Sequence, residues 1–321
     1  AIQDFRAALA HGGAQFLLRA ESQYRLAKLL QNNGDPTGAL NCINELIKEI
    51  NQDHYLVVAA TYARGELQRD LKNDKAAAES FADAAKLSTG KQSDFLFPSL
   101  YQGGFAHLRM RHFDNAAAAF AAAHKAAPSQ AAKGECLYLF GDAQLRLGNH
   151  KQADQTFRKA IEIPSDHQDD AQFGLGWSAV ARDDAPAAIR AFRQLIANHP
   201  NSPLVNSARL LISRSLYETK QYEEGLRQLG PLLVEGNELQ LEARELEGLC
   251  AIASGEGQSA IVTMRRALSQ AAKADKPRLQ VALGGAYANL NRWQDALSAY
   301  QMVPATASSE LRGDAMYGAC H

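Results

Sequence analysis

Small and bulky apolar residues recur at fixed steps along this chain. A Gly, Ala or Ser that we call the anchor occurs every 35 to 39 residues, at Ala27, Gly65, Gly104, Gly141, Gly176, Ser213, Gly248 and Gly284. Twelve residues after the anchors stand Ala39, Ala77, Ala116, Ala153, Ala188, Gly225, Ala260 and Ala296. Sixteen residues after them stand Ile43, Phe81, Phe120, Phe157, Phe192, Leu229, Met264 and Tyr300. Such a period is typical of stacked helical repeats.

These steps predict two helices in each repeat. The twelve-step and sixteen-step residues, with an apolar residue at step nineteen, have the i, i+4, i+7 spacing of one helix face. The anchor lies on the preceding helix, where a small side chain lets the second helix approach closely. Seven residues after the anchors, four of eight positions are Gly or Asn, which tolerate the left-handed conformation that ends a helix. We therefore expect an all-α chain of about nineteen helices, one of them a short helix at residues 13–20.

Two stretches carry this pattern most completely, Leu137–Ser165 and Gly284–Pro304. Both resemble the tetratricopeptide repeat family, and the resemblance covers essentially the whole chain. It implies a right-handed superhelical solenoid of antiparallel helix pairs. The sequence fits eight full repeats plus a half repeat at each end, with repeats beginning near residues 21, 58, 97, 134, 169, 206, 241 and 277. The weakest copy is expected at 242–270, where Glu247 stands in place of the usual leucine.

The two ends of the chain carry partial copies of the pattern. Residues 1–20 open with Ala1, Phe5 and Ala8 at the spacing of a second helix, and residues 310–321 match a first helix with Cys320 near its anchor position. Terminal repeats need polar caps for solubility, and neither end has the composition of a cap. We therefore expect residues 1–321 to be one solenoid within a longer protein.

Charge and composition narrow the possible partners. The formal net charge is −1, with 34 basic and 35 acidic residues. Because no basic stripe is present to neutralise phosphates, we do not expect nucleic-acid binding. No apolar run approaches the length of a membrane span, so we expect no membrane insertion by this segment. The four cysteines lie nearly two repeats or more apart and should not pair with one another.

Three patterns hint at chemistry that their context contradicts. The stretch from Gly174 to Ala179 matches G-x-G-x-x-A, but a dinucleotide site needs a strand before it, and Gly176 is an anchor inside a helix. Ser165, Asp166 and His167 are triad residue types, yet adjacency in sequence does not create triad geometry. The histidines lack the helical i, i+4 spacing of a metal site. We therefore expect no catalytic residues, no metal, no cofactor and no enzymatic activity.

Aromatic residues stand three positions before five consecutive anchors, at Tyr24, Tyr62, Tyr101, Tyr138 and Phe173. The family resemblance implies that this position faces the concave groove. Phe105 and Trp177, each one residue past an anchor, would widen this aromatic row. Lys28 has the same position in the first repeat and is the one residue here that fits the carboxylate-gripping clamp known in the family, so we do not expect that clamp. Aromatic rows suit an extended peptide or a partner helix because they supply contact area at low entropy cost. The alternative is that these rings serve helix packing alone.

A second candidate surface is acidic. Five glutamates occur between Glu235 and Glu247, opposed in sequence only by Arg244. The resemblance places Glu242 and Glu245 in the groove, where they would favour a basic partner segment. The alternative is an ordinary solvated face.

Two functional hypotheses follow. The first is a protein-interaction scaffold that binds a peptide or partner helix in the groove as part of a larger assembly. The turn at 198–203 (Asn-His-Pro-Asn-Ser-Pro) looks like turns in bacterial cell-envelope tetratricopeptide proteins, such as partners of the Tol-Pal system or polysaccharide-export scaffolds, and so favours the periplasm or cell envelope over the cytoplasm. The second hypothesis is a regulatory or substrate-positioning arm of an enzyme whose catalytic domain lies outside this segment.

Overall fold

Helices account for all the regular secondary structure in residues 1–11, 18–88 and 90–320, the part of the chain that the computed structural model describes. Of the eighteen α-helices in these residues, sixteen form eight pairs, preceded by α1 (Ile2–His11) and followed by α18 (Ser309–Cys320). The first helices of the pairs are α2 (Arg19–Asn32), α4 (Val57–Asp70), α6 (Leu96–Arg109), α8 (Gln130–Arg146), α10 (Gln168–Val180), α12 (Val205–Glu218), α14 (Gln240–Ala253) and α16 (Lys276–Asn289). The second helices are α3 (Pro36–Glu49), α5 (Asp74–Leu87), α7 (Phe113–Ala126), α9 (His150–Ile161), α11 (Ala185–Asn198), α13 (Tyr222–Leu229), α15 (Gly257–Gln270) and α17 (Trp293–Gln301).

The predicted all-α architecture of eight helix pairs with a half repeat at each end is thereby confirmed. Two short 3-10 helices, at Gly90–Phe95 and Gly230–Leu232, complete the regular structure of these residues. The short helix expected at residues 13–20 depends mainly on residues 12–17, which lie outside the described residues.

Contacts between residues divide the chain into two compact units, Ala1–Gly174 and Leu175–His321. In the first unit each helix packs on the next one along the chain, from α1 to α9. The second unit repeats this arrangement from α11 to α18, and successive first helices there (α12, α14, α16) and α18 also touch. Each helix pair is therefore stabilised mainly by its immediate neighbours.

The closest approach within a pair is between the anchor glycine and the sixteen-step side chain. A Cβ added at Gly65 would lie 2.7 Å from the Phe81 ring, and one added at Gly104 would lie 2.6 Å from the Phe120 ring. The same close fit joins Gly141 to Phe157, Gly176 to Phe192, Gly248 to Met264 and Gly284 to Tyr300. A methyl group at these anchors would force the two helices apart, which explains the small residue that the sequence shows there.

In at least two places the sixteen-step side chain also packs between neighbouring repeats. The Phe157 ring lies against Gly141 of its own pair and against Gly174 of α10, where an added Cβ would be 2.5 Å away. Tyr300 lies in the same way between Gly284 and Gly318 of α18. The side chains at steps twelve, sixteen and nineteen are buried in every repeat, except that Val303 is only half-buried.

A left-handed residue ends the first helix of every pair. All eight residues seven past the anchors have positive φ, from 57° to 85°: Gly34, Lys72, Arg111, Gly148, Asp183, Lys220, Gly255 and Asn291. The next residue donates its backbone N–H to a carbonyl five positions back, as Asn73 does to Gln68 at 2.8 Å. This is the 6→1 bond of a Schellman motif. The turn imposes the left-handed conformation even where the sequence supplies Lys, Arg or Asp.

Side-chain caps start some of the second helices after this turn. Asp35, Asn73 and Asp184 each accept a hydrogen bond from the backbone N–H three residues later. Such N-caps satisfy one of the free donors at a helix start. In these repeats only three or four residues, ending with the left-handed residue and the cap, connect the first helix to the second.

The sixth and seventh repeats depart from the regular pattern. Gly230 and Pro231 end α13 after eight residues, and the chain continues as a 3-10 turn that still buries Leu232 completely. In the seventh repeat, both α14 and α15 form although Glu247 replaces an apolar residue. Burial raises the pKa of the Glu247 carboxyl, and Arg244 opposes this shift. The expected weak point of the array thus contains a half-buried carboxylate beside a buried guanidinium.

Two further observations concern the cysteines and the possibility of membrane-spanning helices. Cys42, Cys136, Cys250 and Cys320 are all free thiols. Among the described residues, no helix has the length and apolar character required to cross a bilayer.

Replacement of Phe120 or Phe157 by Ala should lower the free energy of unfolding by about 3–5 kcal/mol, because burial is lost and a cavity remains. Because repeats couple mainly to their neighbours, amide hydrogen exchange should rise in the adjoining helices and little elsewhere. The half-exposed Leu147 provides the control, since Leu147→Ala should cost much less. A single two-state urea transition of unchanged slope in the phenylalanine variants would contradict regional damage.

Replacement of Arg111 by Gly should raise the free energy of unfolding by about 1 kcal/mol, since only glycine adopts a left-handed conformation without steric cost. The φ of Arg111 is 60°. The matched reverse change is Gly148→Ala, at a φ of 80°, which should lower stability by a similar amount. Urea denaturation measures both effects, and a loss of stability in Arg111→Gly would refute the interpretation.

Candidate functional site

The aromatic row lies on the first helices of five consecutive repeats. Its members, Tyr24 on α2, Tyr62 on α4, Tyr101 on α6, Tyr138 on α8 and Phe173 on α10, all belong to the first unit and are all partly exposed. They are neither fully buried nor largely exposed. The rings therefore combine an inner contact with an outer surface.

The inner contact of each central tyrosine is the sixteen-step phenylalanine of its own repeat. Ring centroids are 5.5 Å apart for Tyr62 and Phe81, 6.2 Å for Tyr101 and Phe120, and 6.5 Å for Tyr138 and Phe157. Phe105, on the next turn of α6, packs edge-on against Tyr101 at 4.9 Å and against Phe120 at 5.4 Å. The row is thus built on the same rings that join the helix pairs.

Each central tyrosine also touches the following repeat. Tyr62 lies 5.6 Å from the Phe95 ring, which directly precedes α6. The Tyr101 hydroxyl donates a hydrogen bond to Glu135 on α8. The Tyr138 ring stacks on the His167 ring, with centroids 5.3 Å apart and the planes within 6° of parallel. These contacts make the row continuous from α4 to α10.

A polar network runs along the last part of this surface. Glu135 accepts the hydrogen bond from Tyr101, and its carboxylate also lies 3.6 Å from His167 Nε2. On the other side of the imidazole, Nδ1 lies 2.8 Å from the Asp170 carboxylate. Side chains of α6, α8 and α10 are therefore tied together on the exposed face of the first unit.

Burial raises the pKa of the tyrosine hydroxyls in the row. It raises the pKa of the Tyr62 hydroxyl to about 12, and the Glu66 carboxylate adds to the effect. It also raises the pKa of Tyr138 to about 12, with further contributions from Asp170 and Asp142. For Tyr101, burial and the hydrogen bond to Glu135 push the hydroxyl pKa well above its ordinary value. These hydroxyls stay protonated and act as hydrogen-bond donors at neutral pH.

Lys28 lies at the other end of the row and is engaged within the chain. Its Nζ is 3.1 Å from the Glu66 carboxylate on α4. Beside this pair, the Gln31 amide donates to Asp70 at 3.0 Å. The two contacts tie α2 to α4, so Lys28 joins neighbouring repeats at the edge of the row.

The second unit holds the remaining residues singled out from the sequence. Trp177 on α10 is 38% exposed, whereas Leu210, at the row position of the next repeat, is buried. The Glu245 carboxylate lies 3.1 Å from Arg278 Nε on α16. Burial raises the pKa of Glu245, and both Arg278 and Arg214 oppose that shift. The run of glutamates is therefore met by guanidinium groups from neighbouring repeats as well as by Arg244.

The structure also locates the sequence patterns that resemble a nucleotide site, a catalytic triad and a metal site. Gly176 lies inside α10 with the Phe192 ring against it, where an added Cβ would be 2.4 Å away, so a phosphate has no space there. His167 bonds to Asp170 rather than forming a triad with Ser165. Within residues 1–11, 18–88 and 90–320, no group of three or more His, Cys, Asp or Glu side chains has the arrangement of a metal site.

Family models agree with the repeat geometry. Two models described as tetratricopeptide repeat match residues 24–91 with 173–234, and 134–167. Together these matches cover about half of the chain. The chain belongs to the tetratricopeptide repeat family. Such folds typically serve as non-catalytic scaffolds for protein interactions. No match to a curated protein is found.

Solved tetratricopeptide repeat structures share the fold. A tetratricopeptide repeat protein from Parabacteroides merdae is 17% identical, covers 83% of this chain and 98% of its own, and has a TM-score of 0.51. YrrB, described as a TPR protein with an unusual peptide-binding site, is also 17% identical, covers 65% of this chain and 98% of its own, and scores 0.50. The apo form of RapI is 13% identical, covers 88% and 86%, and scores 0.59. At these identities the similarity concerns the fold alone.

Sequence reasoning missed the residues that connect the row to the next repeat. Phe95, Glu135 and His167 stand well over twenty residues from the tyrosines that they contact. His167 attracted notice only as part of the Ser-Asp-His stretch, and the other two belong to no motif. A signal did exist, because each of them precedes an anchor by six or nine residues. The same family period that identified the tyrosines could have located these partners.

The buried tyrosines should make the protein less stable in alkali. A pKa raised in the folded state means that stability is fully present below the unfolded value of 10.0 and is lost as the pH rises towards the folded value of about 12. The double variant Tyr62→Phe/Tyr138→Phe should therefore lose less free energy of unfolding than the wild type across this window. Urea denaturation at several pH values measures the difference, and equal pH slopes would count against the assignment.

Proposed function

We propose that the protein is an interaction scaffold whose first unit binds an extended peptide or a partner helix on the aromatic row. The observation that carries this proposal is the repetition of one partly exposed aromatic side chain on five consecutive first helices. A packing role does not need this exposure. The phenylalanines beneath the row also pack between helices, and they are fully buried. The exposed edges offer a partner a continuous apolar strip with hydroxyl groups along it.

The row is well suited to binding because its rings are already fixed. Tyr62, Tyr101 and Tyr138 each rest on a buried phenylalanine and on a group of the next repeat. Side chains ordered before binding lose little entropy when the partner arrives, which leaves more of the contact energy as affinity. Tyrosine also combines a large apolar surface with a hydrogen-bonding end, and such residues are enriched among interface hot spots.

The comparisons support the class of partner. The family serves protein interactions, and YrrB is described as having a peptide-binding site. We extend this class to the present chain and place the site on Tyr24, Lys28, Tyr62, Tyr101, Phe105, Tyr138 and Phe173. Trp177, Glu242 and Glu245 remain predicted contacts of the second unit.

The wider setting is also a proposal. We place the scaffold in a larger assembly, for which the turn at 198–203 suggests a bacterial cell envelope. The one continuous solenoid over residues 1–321, as a segment of a longer protein, stays a prediction. So does the alternative that this array is a regulatory or substrate-positioning arm of an enzyme.

The double variant Tyr101→Ala/Tyr138→Ala should weaken peptide binding by about 2 kcal/mol or more, if these rings are hot spots. The probe is a set of peptides selected from a phage-displayed library of random dodecapeptides, with affinity measured by fluorescence anisotropy. Because the rings also pack on Phe120 and Phe157, thermal stability will fall as well.

The matched control is Tyr217→Ala in the second unit. Tyr217 is half-buried and packs on Tyr222 at 5.7 Å, so its loss should lower stability without changing peptide affinity. Peptides that bind the wild type and the Tyr101→Ala/Tyr138→Ala variant equally well would refute the proposal.

A further inference from the structure

We infer that the aromatic row takes a basic partner segment, with a Lys or Arg side chain placed at the exposed edge of Tyr138, next to the carboxylates of Glu135 and Asp170 that flank the His167 imidazole. The inference rests on the proposed function and specifies the chemistry of the partner. It assigns basic-partner recognition to the first unit, away from the glutamate run of the second unit.

The apolar part of this surface is formed by α6 and α8. Tyr101, Phe105, Leu108 and Tyr138 are all partly exposed and pack on the same buried cluster, which includes Phe120 and Leu139. The methylene stem of a long cationic side chain can lie along such rings while its charged end reaches the rim. Aromatic faces also attract a cation directly.

Carboxylates surround the end of this surface. The Tyr138 hydroxyl is under the electrostatic influence of Asp142, Asp169 and Asp170, opposed by Arg146. Arg146 pairs with Asp142 at 2.7 Å on the same helix and is 55% exposed. Glu135 adds a fourth carboxylate next to His167. These four carboxylates, on α8 and at the start of α10, are thus opposed by the guanidinium of Arg146.

In the second unit, two glutamates of the run already have guanidinium groups beside them. Arg278 lies 3.1 Å from the Glu245 carboxylate, and Arg214 also stabilises its charge. Arg244 is buried close to Glu247. Carboxylates that already have guanidinium partners gain little from a partner's cation, because an existing ion pair would have to be broken.

Charge complementarity therefore selects one kind of occupant for the row. A cation beside Tyr138 would be within reach of Glu135 on α8 and Asp170 on α10, which lie on opposite sides of the His167 imidazole. Both side chains are about one-third exposed, so they can accept hydrogen bonds from a ligand without losing those within the chain. Complementary charge at such a rim raises the association rate and makes binding sensitive to salt.

The test uses the whole chain and the same random dodecapeptide library. Selected peptides should be enriched in Lys or Arg, and replacement of those residues by Gln should weaken binding about tenfold. Glu135→Gln and Asp170→Asn should each weaken binding of basic peptides about threefold to tenfold and reduce the salt dependence. Asp170→Asn keeps a hydrogen-bonding side chain beside His167 Nδ1 and leaves the Tyr101–Glu135 contact in place, which guards against a folding defect in Glu135→Gln. Circular dichroism melting confirms that each variant is folded.

Glu223→Gln, at an exposed position on α13 of the second unit, is the matched control and should leave affinity unchanged. Peptides that need Tyr101 and Tyr138 but are neutral or acidic, or that bind Glu135→Gln and Asp170→Asn as tightly as wild type, would overturn this inference and leave the proposed function intact. Peptides insensitive to the tyrosine variants, or a selection that yields no binding peptide, would overturn both.

Discussion

The contact between an anchor glycine and the aromatic ring sixteen residues later sets the geometry of five of the eight helix pairs. Where the ring of Phe120 lies against Gly104, no space remains for even a methyl group. The two helices are therefore held at a distance determined by the thickness of a ring. Because protein interiors are packed at crystal-like density, this distance also sets where every other side chain of the pair lies. The regular repeat of the chain follows from the repetition of this single contact.

The candidate site depends on that contact directly. Tyr62, Tyr101 and Tyr138 are half-buried because the fixed phenylalanine supports their inner edge and prevents them from sinking further. Their outer edges then stay accessible at constant spacing along the first unit. A surface built this way is rigid, and its rigidity is a property of the core. Affinity and stability are consequently coupled here, so experiments on this surface must measure both.

The sequence predicted the repeat, the helix pairs and the row, since each reflects short-range steps within one repeat. It predicted too few left-handed residues in the turns, because only four of the eight turn positions carry Gly or Asn, which favour that conformation. The geometry of the turn demands it at all eight, and Lys72 or Arg111 adopt it at a steric cost. Contacts between repeats were not foreseen either. Arg278 beside Glu245, and His167 between Glu135 and Asp170, depend on the stacking of helices that no local pattern specifies.

The position of Phe157 between Gly141 and Gly174 has a consequence for how arrays of this kind can be rearranged. One ring belongs at once to its own pair and to the next, so a boundary between repeats cuts through a shared contact. A transplanted copy of the repeat that carries Phe157 will fit only where the following first helix supplies a small residue, as Gly174 does. The transferable module is therefore a second helix with the first helix that follows it. Chimeras cut at the left-handed turns, within a repeat, should preserve this contact, whereas cuts between repeats should separate its two halves.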